Sequence, residues 1–317
     1  MIMANLTVAV IGPAGYAKDL GKKGTSTDIT FYNLKKGHNT VTIIEPTRYP
    51  ERLAPLFFSV SLADAAIVVV DELNAAFGEC LLMLGAAGIT KGYLVLRNYL
   101  SPDQVKPLLK GTALEGYAFI EDDAIALREE LLGAVEQMDQ APPADGKTCI
   151  VPIDHFFNVR GIGTVILGSV AAGRLKKHDS LTIQPIGKTA LVRSIQKHDD
   201  DVDDAYAGDR VGLALKNVDY EDLDRGYVLT NDPAIASGTA ITGRLDLVPF
   251  WKAPITEGMV LHIGYWMQYQ PSRVLSVEGS TLTIEMEKDL VYLPGTTAVV
   301  TYLEGGALRI AGTLTLS

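Results

Sequence analysis

The chain has 317 residues, 47% of them apolar and 21% charged, which is enough for two or three domains, each with its own core. Its formal net charge is −10, with 12 basic and 18 acidic residues before Lys147 and 16 and 20 from there on; neither half is the basic domain that non-specific nucleic-acid binding asks for. There is no apolar run of the roughly 18 residues a membrane span needs and no signal pattern before the first strand; Cys80 and Cys149 lack metal-ligand spacing, which fits a cytoplasmic chain with two buried thiols.

Residues 6–11 read as a buried strand, and Gly12-Pro-Ala-Gly-Tyr-Ala-Lys18-Asp19 follows it. Apolar runs at 40–44, 65–70 and 92–96 are short enough to be buried parallel strands. Helical patterns lie at 74–87, 102–110 and 122–138, the last placing Ile125, Leu132 and Val135 on one face with acids at its start. This alternation predicts a doubly wound α/β domain. A Pro- and Gly-rich stretch at 140–146 marks its end, after which helical periodicity all but disappears. Short strands are expected at 163–168, 179–184, 191–198, 211–216 and 227–230, then, past a second break near 231–237, at 239–248, 259–268, 272–277, 281–285, 296–303 and 306–315. The predicted units are therefore residues 1–143, 147–233 and 237–317, the last two being β-barrels or sandwiches.

The stretch after the first strand has the outline of the phosphate loop G-x-x-x-x-G-K-[ST], in which backbone N–H groups close on phosphate, Lys reaches its outer oxygens and the hydroxyl holds Mg²⁺. Gly12 and Lys18 fit. Ala17 replaces the second glycine, at a cost of about 1 kcal/mol if the backbone needs φ > 0 there. Asp19 replaces the hydroxyl and sets a negative charge beside the phosphate, a repulsion of about 4 kcal/mol at 4 Å and an effective dielectric near 20. The loop reads as a degenerate, vestigial strand-to-helix turn.

Residues 151–230 resemble domain 2 of elongation factor Tu and of the selenocysteine-specific elongation factor almost throughout. The markers are Arg160-Gly161-Ile-Gly163-Thr164, Gly168, Gly173, Ala207-Gly208-Asp209-Arg210-Val-Gly212 and Arg225-Gly226. Glycines so spaced serve turns and close strand approach in a small barrel. Gly306-Ala-Leu-Arg309-Ile-Ala-Gly312 resembles the end of the third domain more weakly, and the strand at 61–71 matches the first. The resemblance implies a P-loop GTPase-like α/β domain followed by two β-barrels, with GTP and Mg²⁺ as cofactors and aminoacyl-tRNA or the ribosome as partner. It also locates the remaining nucleotide motifs. The Mg²⁺- and water-positioning D-x-x-G-H falls at Glu45-Pro-Thr-Arg-Tyr49, and the guanine-reading N-K-x-D at Arg97-Asn-Tyr-Leu100, each with its working residues changed. Neither GTP nor Mg²⁺ is expected to bind, leaving no catalytic residue; a slow, atypical GTPase with Asp19 or Glu45 on the metal is the alternative.

In the selenocysteine-specific branch an Asp-His pair and an Arg line the aminoacyl pocket of domain 2, and Asp154, His155 and Arg210 stand at the matching positions. A His with an Arg suits a polar or anionic side chain, with Asp154 tuning the His; a structural ion pair is the competing reading. The acidic run 198–204 reads as a solvated hairpin tip rather than a metal site, because serial carboxylates repel and no ligand His is suitably spaced. Phe250-Trp251 and 265–269 are core or interdomain packing, or else a stacking platform for bases. Lys22-Lys23 and Lys35-Lys36 are candidates for phosphate contact, and Lys176-Lys177, Lys188, Arg193 and Lys197 for a local basic strip. The functional expectation is a cytoplasmic, monomeric elongation factor-like protein that binds aminoacyl-tRNA through its barrels, or a ribosome- or protein-docking module without tRNA.

Overall fold

The computed structural model describes residues 5–138 and 148–317; the Pro- and Gly-rich stretch at 140–146 lies outside them. The first domain contains β1 (Asn5–Ile11), a 3-10 turn (Tyr16–Asp19), β2 (Lys22–Ser26), β3 (Ile29–Lys36), β4 (Asn39–Pro46), α1 (Ala54–Val60), β5 (Ala65–Val70), α2 (Ala75–Ala86), β6 (Gly92–Leu96), α3 (Pro102–Leu109), β7 (Ala118–Ile120) and α4 (Ala124–Glu136). They form one sheet in the order β2-β3-β4-β1-β5-β6-β7, parallel from β4 to β7 and antiparallel through β2-β3-β4.

Every residue of β1 and β5 is buried, as expected of strands covered on both faces. Ala9 and Ile11 point toward Leu56, Phe57, Met83 and Leu84 of α1 and α2, while Val8 and Val10 join Leu127, Leu131 and Val135 of α4. Ile125, predicted on that face, is instead 66% exposed. At 100° per residue it lies roughly a quarter turn from the centre of the Leu127-Leu131-Leu132-Val135 stripe. Asp123 accepts hydrogen bonds from the N–H groups of Ile125 and Ala126, so Ile125 also sits in the first turn, at the outer end of the buried stripe. The predicted strand-to-helix turn is corrected too. Gly12–Asp19 ends in a 3-10 turn alone, with no α-helix, and the chain then doubles back into β2 against β3. A Cβ on Gly21 would come to 3.0 Å from the Asn33 carbonyl oxygen, a tight approach that favours glycine at the return.

The second domain contains β8 (Cys149–Val159), β9 (Gly163–Ser169), β10 (Ala172–Lys176), β11 (Ser180–Gln184), β12 (Lys188–Lys197), β13 (Asp200–Val202), β14 (Asp204–Tyr206), β15 (Arg210–Lys216) and β16 (Val228–Thr230). The ring β8-β16-β11-β12-β15-β9 closes when β9 pairs with β8. The third domain, β17 (Ala236–Leu247), β18 (Val260–Tyr265), β19 (Gln268–Glu278), β20 (Thr281–Tyr292), β21 (Thr297–Thr301) and β22 (Ile310–Leu316), is a second closed six-stranded barrel. Each barrel has its own core of alternating aliphatic residues.

The third domain is packed firmly on the first. Met267, Val299 and Ile310 belong to the same apolar core as α1 and α2, and Tyr269 lies 5.5 Å from the Phe57 ring centroid. A Cβ on Gly264 would meet the Phe57 ring at 2.5 Å, so the contact depends on a residue without a side chain. Arg309 holds Glu79, which is 4% exposed, through two hydrogen bonds. Tyr265 and Trp266 lie ring to ring with centroids 4.5 Å apart, and Trp251 crosses Tyr302 edge-on. Of the proposed stacking platform, only Phe250 stands exposed.

Candidate functional site

The phosphate loop keeps its turn. Gly15 has φ 80°, and a Cβ on Gly12 would come within 2.6 Å of the Val69 Cβ. Ala17 lies inside the 3-10 turn and is absent from the positive-φ residues, so its methyl group incurs no backbone cost. Lys18 and Asp19 face solvent. The decisive contact is Glu45, 4% exposed at the end of β4. Its Oε1 accepts the Ala17 N–H at 3.1 Å, and its Oε2 accepts the Tyr32 hydroxyl at 3.1 Å. In a working loop the N–H at that position faces phosphate; here a carboxylate of the chain itself takes it. The buried Tyr32 phenol is pushed up to about 12 by desolvation and by Glu45.

The neighbouring space is also furnished by protein. Tyr16 donates to Asp122 at 2.8 Å, and Arg97 lies 3.1 Å from Asp122 and 3.5 Å from Asp71; Tyr16, Arg97 and Asp122, together with Lys18 and Asp19, border a cavity of about 360 Å³. Burial and the Asp122 carboxylate raise the Tyr16 phenol above its ordinary range, which keeps it a hydrogen-bond donor. Asn98 and Tyr99 are both left-handed, and Tyr99 is fully exposed. The residues present do not fit the Mg²⁺–GTP pair: the metal-binding hydroxyl is Asp19, the acidic group is committed to Ala17 and Tyr32, and Asn98-Tyr99 offers no carboxylate to a guanine edge. Among the described residues there is no cluster of three His, Cys, Asp or Glu suited to a metal.

In the second domain the three predicted pocket residues come together. The β8–β9 register shifts between Ile153 and His155, and this bulge leaves the consecutive Asp154 and His155 both buried. Asp154 Oδ1 accepts from His155 Nδ1 at 2.5 Å and from Arg210 Nη2 at 2.8 Å. Burial would raise the Asp154 carboxyl, but the Arg210 guanidinium and His155 hold it below the usual carboxylate range. Arg210 opens β15, directly after Asp209, which is fixed by buried Lys197 and the Tyr206 N–H.

The cluster is not open. The β2–β3 turn and the start of β3 lie across it, with Thr27 Oγ1 of the turn 3.0 Å from His155 Nε2 and the ring centroid of Phe31 on β3 3.6 Å from the Arg210 guanidinium. Arg225 binds both carboxylate oxygens of Asp28 at 2.8 Å, and its Nε donates to the Asp154 carbonyl at 3.1 Å. Burial opposes ionisation of Asp28, yet Arg225 holds its carboxyl below the ordinary range. Arg225, Thr27, Asp28 and Phe31 were not legible as site residues, because no local pattern announces a contact across 197 positions.

Residues 163–230 match the family model of elongation factor Tu domain 2. An uncharacterised protein of Methanocaldococcus jannaschii is 38% identical over 312 residues, covering 98% of this chain and 99% of that one. The selenocysteine-specific elongation factor of the same organism is 27% identical over 277 residues, or 81% of this chain and 59% of its own. The chain belongs to the elongation factor Tu and selenocysteine-specific elongation factor family. Its fold matches the crystal structure of translation elongation factor SelB from Methanococcus maripaludis in complex with the GTP analogue GPPNHP, with a TM-score of 0.84 over 100% of this chain and 80% of that one, at 22% identity.

Within this elongation factor-like chain, several other candidates are accounted for by packing. The hairpin tip at 198–204 is not simply solvated: His198 Nε2 lies 3.1 Å from Asn5 Oδ1, and Asp199 and Asp200 pair with Lys22 and Lys35. Lys36 pairs with Glu129, Lys188 with Asp222 and Lys197 with Asp209; of the predicted basic strip Lys176, Lys177, Lys188 and Arg193 face solvent, and Lys197 is buried. Among the described residues no helix is long and apolar enough to cross a membrane.

Proposed function

We propose that this elongation factor-like protein binds aminoacyl-tRNA through its two barrels and does so without a GTP-driven cycle. The observation that carries the second half is Glu45 on the Ala17 N–H, which gives the phosphate loop an internal anion in place of a nucleotide. The first half is supported by the domain 2 match and by the meeting of Asp154, His155 and Arg210 at one point of that barrel. The shared core of the first and third domains favours a fixed arrangement over one that swings with nucleotide state. The protein works in the cytoplasm as a monomer.

Filter binding with total charged tRNA, with and without GTP and Mg²⁺, tests both halves. Retention of charged but not deacylated tRNA, unaltered by GTP, is the expected result. GTP-dependent retention, or low-micromolar heat on titration with GTP, refutes the nucleotide-free reading, and no retention of charged tRNA refutes the tRNA reading. The second reading, docking on the ribosome or a protein without tRNA, is favoured by the cover that Thr27 and Asp28 place over the domain 2 cluster. It predicts capture of ribosomal or protein partners that survives ribonuclease treatment of free tRNA.

A further inference from the structure

We propose that the β2–β3 turn is an intramolecular plug of the domain 2 cleft, latched by Arg225 on Asp28, and that ligands reach His155 only when this turn withdraws. The proposal rests on the tRNA-binding reading above and adds the regulation of that site.

Three features support it. First, the turn occupies groups a ligand would use: Thr27 meets His155 Nε2, and both carboxylate oxygens of Asp28 accept from Arg225 Nη1. Second, the turn is held to the sheet at few points, its Thr27 and Asp28 carbonyls accepting from Thr47. Strand β2 is an edge strand bonded only to β3, its register shifts between Lys23 and Ser26, and none of its residues is buried. Segments with few buried contacts and exposed ladder bonds open at low free energy. Third, the seam between the domains does not depend on the turn. Asn5 donates to the Gly208 carbonyl at 2.9 Å and meets His198, while Lys35 on β3 pairs with Asp200. The turn can therefore leave while domain 2 stays on domain 1. Charge-assisted hydrogen bonds are among the stronger polar contacts, so Arg225–Asp28 is the natural latch.

The test compares the full chain with two variants, Asp28→Asn and the double variant Thr27→Ala with Asp28→Ala. Amide hydrogen exchange reads the turn, and filter binding of total charged tRNA reads the cleft. Exchange is expected to accelerate over 22–31 in both variants while the amides of β8, β9 and β15 keep their protection. Charged-tRNA affinity is expected to rise by about ten- to a hundredfold in the double variant and by less in Asp28→Asn, because removing the latch raises the fraction of open molecules. Unchanged exchange overturns the latch. Faster exchange with charged-tRNA binding equal to that of the natural chain overturns the plug while leaving the tRNA reading intact. Faster exchange with no charged-tRNA binding by any of the three proteins overturns the tRNA reading and, with it, the plug's role.

Discussion

Replacing Glu45 by alanine tests the internal anion directly. The change strips acceptors from the Ala17 N–H and the Tyr32 hydroxyl, both within a buried region. A buried donor left without a partner costs about 1–3 kcal/mol, and two such donors plus a lost side-chain volume set the gross loss at about 3–6 kcal/mol. Against this, Glu45 has no cationic partner among the ion pairs of the described residues, so its own desolvation cost is relieved. A net loss of about 2–4 kcal/mol results, since the relief offsets part but not all of two orphaned donors. Glu45→Gln keeps an acceptor for Ala17 and a polar group beside Tyr32, and should cost less than about 1.5 kcal/mol. Denaturant unfolding followed by circular dichroism measures both, with the slope against denaturant expected to stay constant. An alanine variant as stable as the natural chain would refute the reasoning. So would a glutamine variant as damaged as the alanine one, because the effect would then lie in charge rather than in hydrogen bonding. GTP affinity should remain undetectable in Glu45→Ala, since the repulsion from Asp19 survives.

Two further predictions concern the seams between domains. Arg309→Met leaves Glu79 buried without its partner and should destabilise the chain by about 3–5 kcal/mol, while adding Glu79→Gln should recover much of that loss; equal midpoints for the single and double variants would show the pair to be uncoupled. His198 offers a pH prediction. Burial first, then the charges of Arg210, Lys35 and Lys197, outweigh Asp199 and lower its pKa from 6.5 to about 4. The folded imidazole is thus neutral where the unfolded one is protonated, so stability is full above pH 6.5 and falls as pH drops toward 4, by up to about 3 kcal/mol. His262, also lowered by burial, titrates in the same direction, so the measurement is the difference between the natural chain and His198→Asn. An identical pH profile for the two proteins would remove His198 as the cause.

Much of the architecture could be read from local patterns. Ala65–Val70, buried throughout, and Gly92–Leu96, buried at Leu94 and Val95, were bounded as they stand, because an inner parallel strand is a short, uninterrupted apolar run that ends at polar or turn residues. The glycine-spaced barrel of the second domain was equally plain, since Gly168 and Gly173 occupy places where a Cβ would strike backbone within 2.4 Å and 1.8 Å. By contrast β2, with no buried residue, and the seven-residue α1, which is buried nearly throughout, carry no periodic signal and went unpredicted. Tyr265-Trp266 reads as aromatic clustering in the sequence, yet only the barrel turn shows that these rings lie against each other inside the protein.

The candidate sites divide in the same way. By itself the sequence determined that the motif positions Ala17, Asp19, Glu45 and Arg97–Leu100 carry altered residues, since residue identity alone decides which groups are present, while the grouping of Asp154, His155 and Arg210 came from the family resemblance. Only the tertiary structure decided what those groups do with their bonds. Glu45 turns inward to the loop N–H, and a turn beginning at Thr27 closes over a cluster more than a hundred residues away. Hydrogen-bond satisfaction is a property of what surrounds a group in space, and buried donors accept whichever partner the fold delivers.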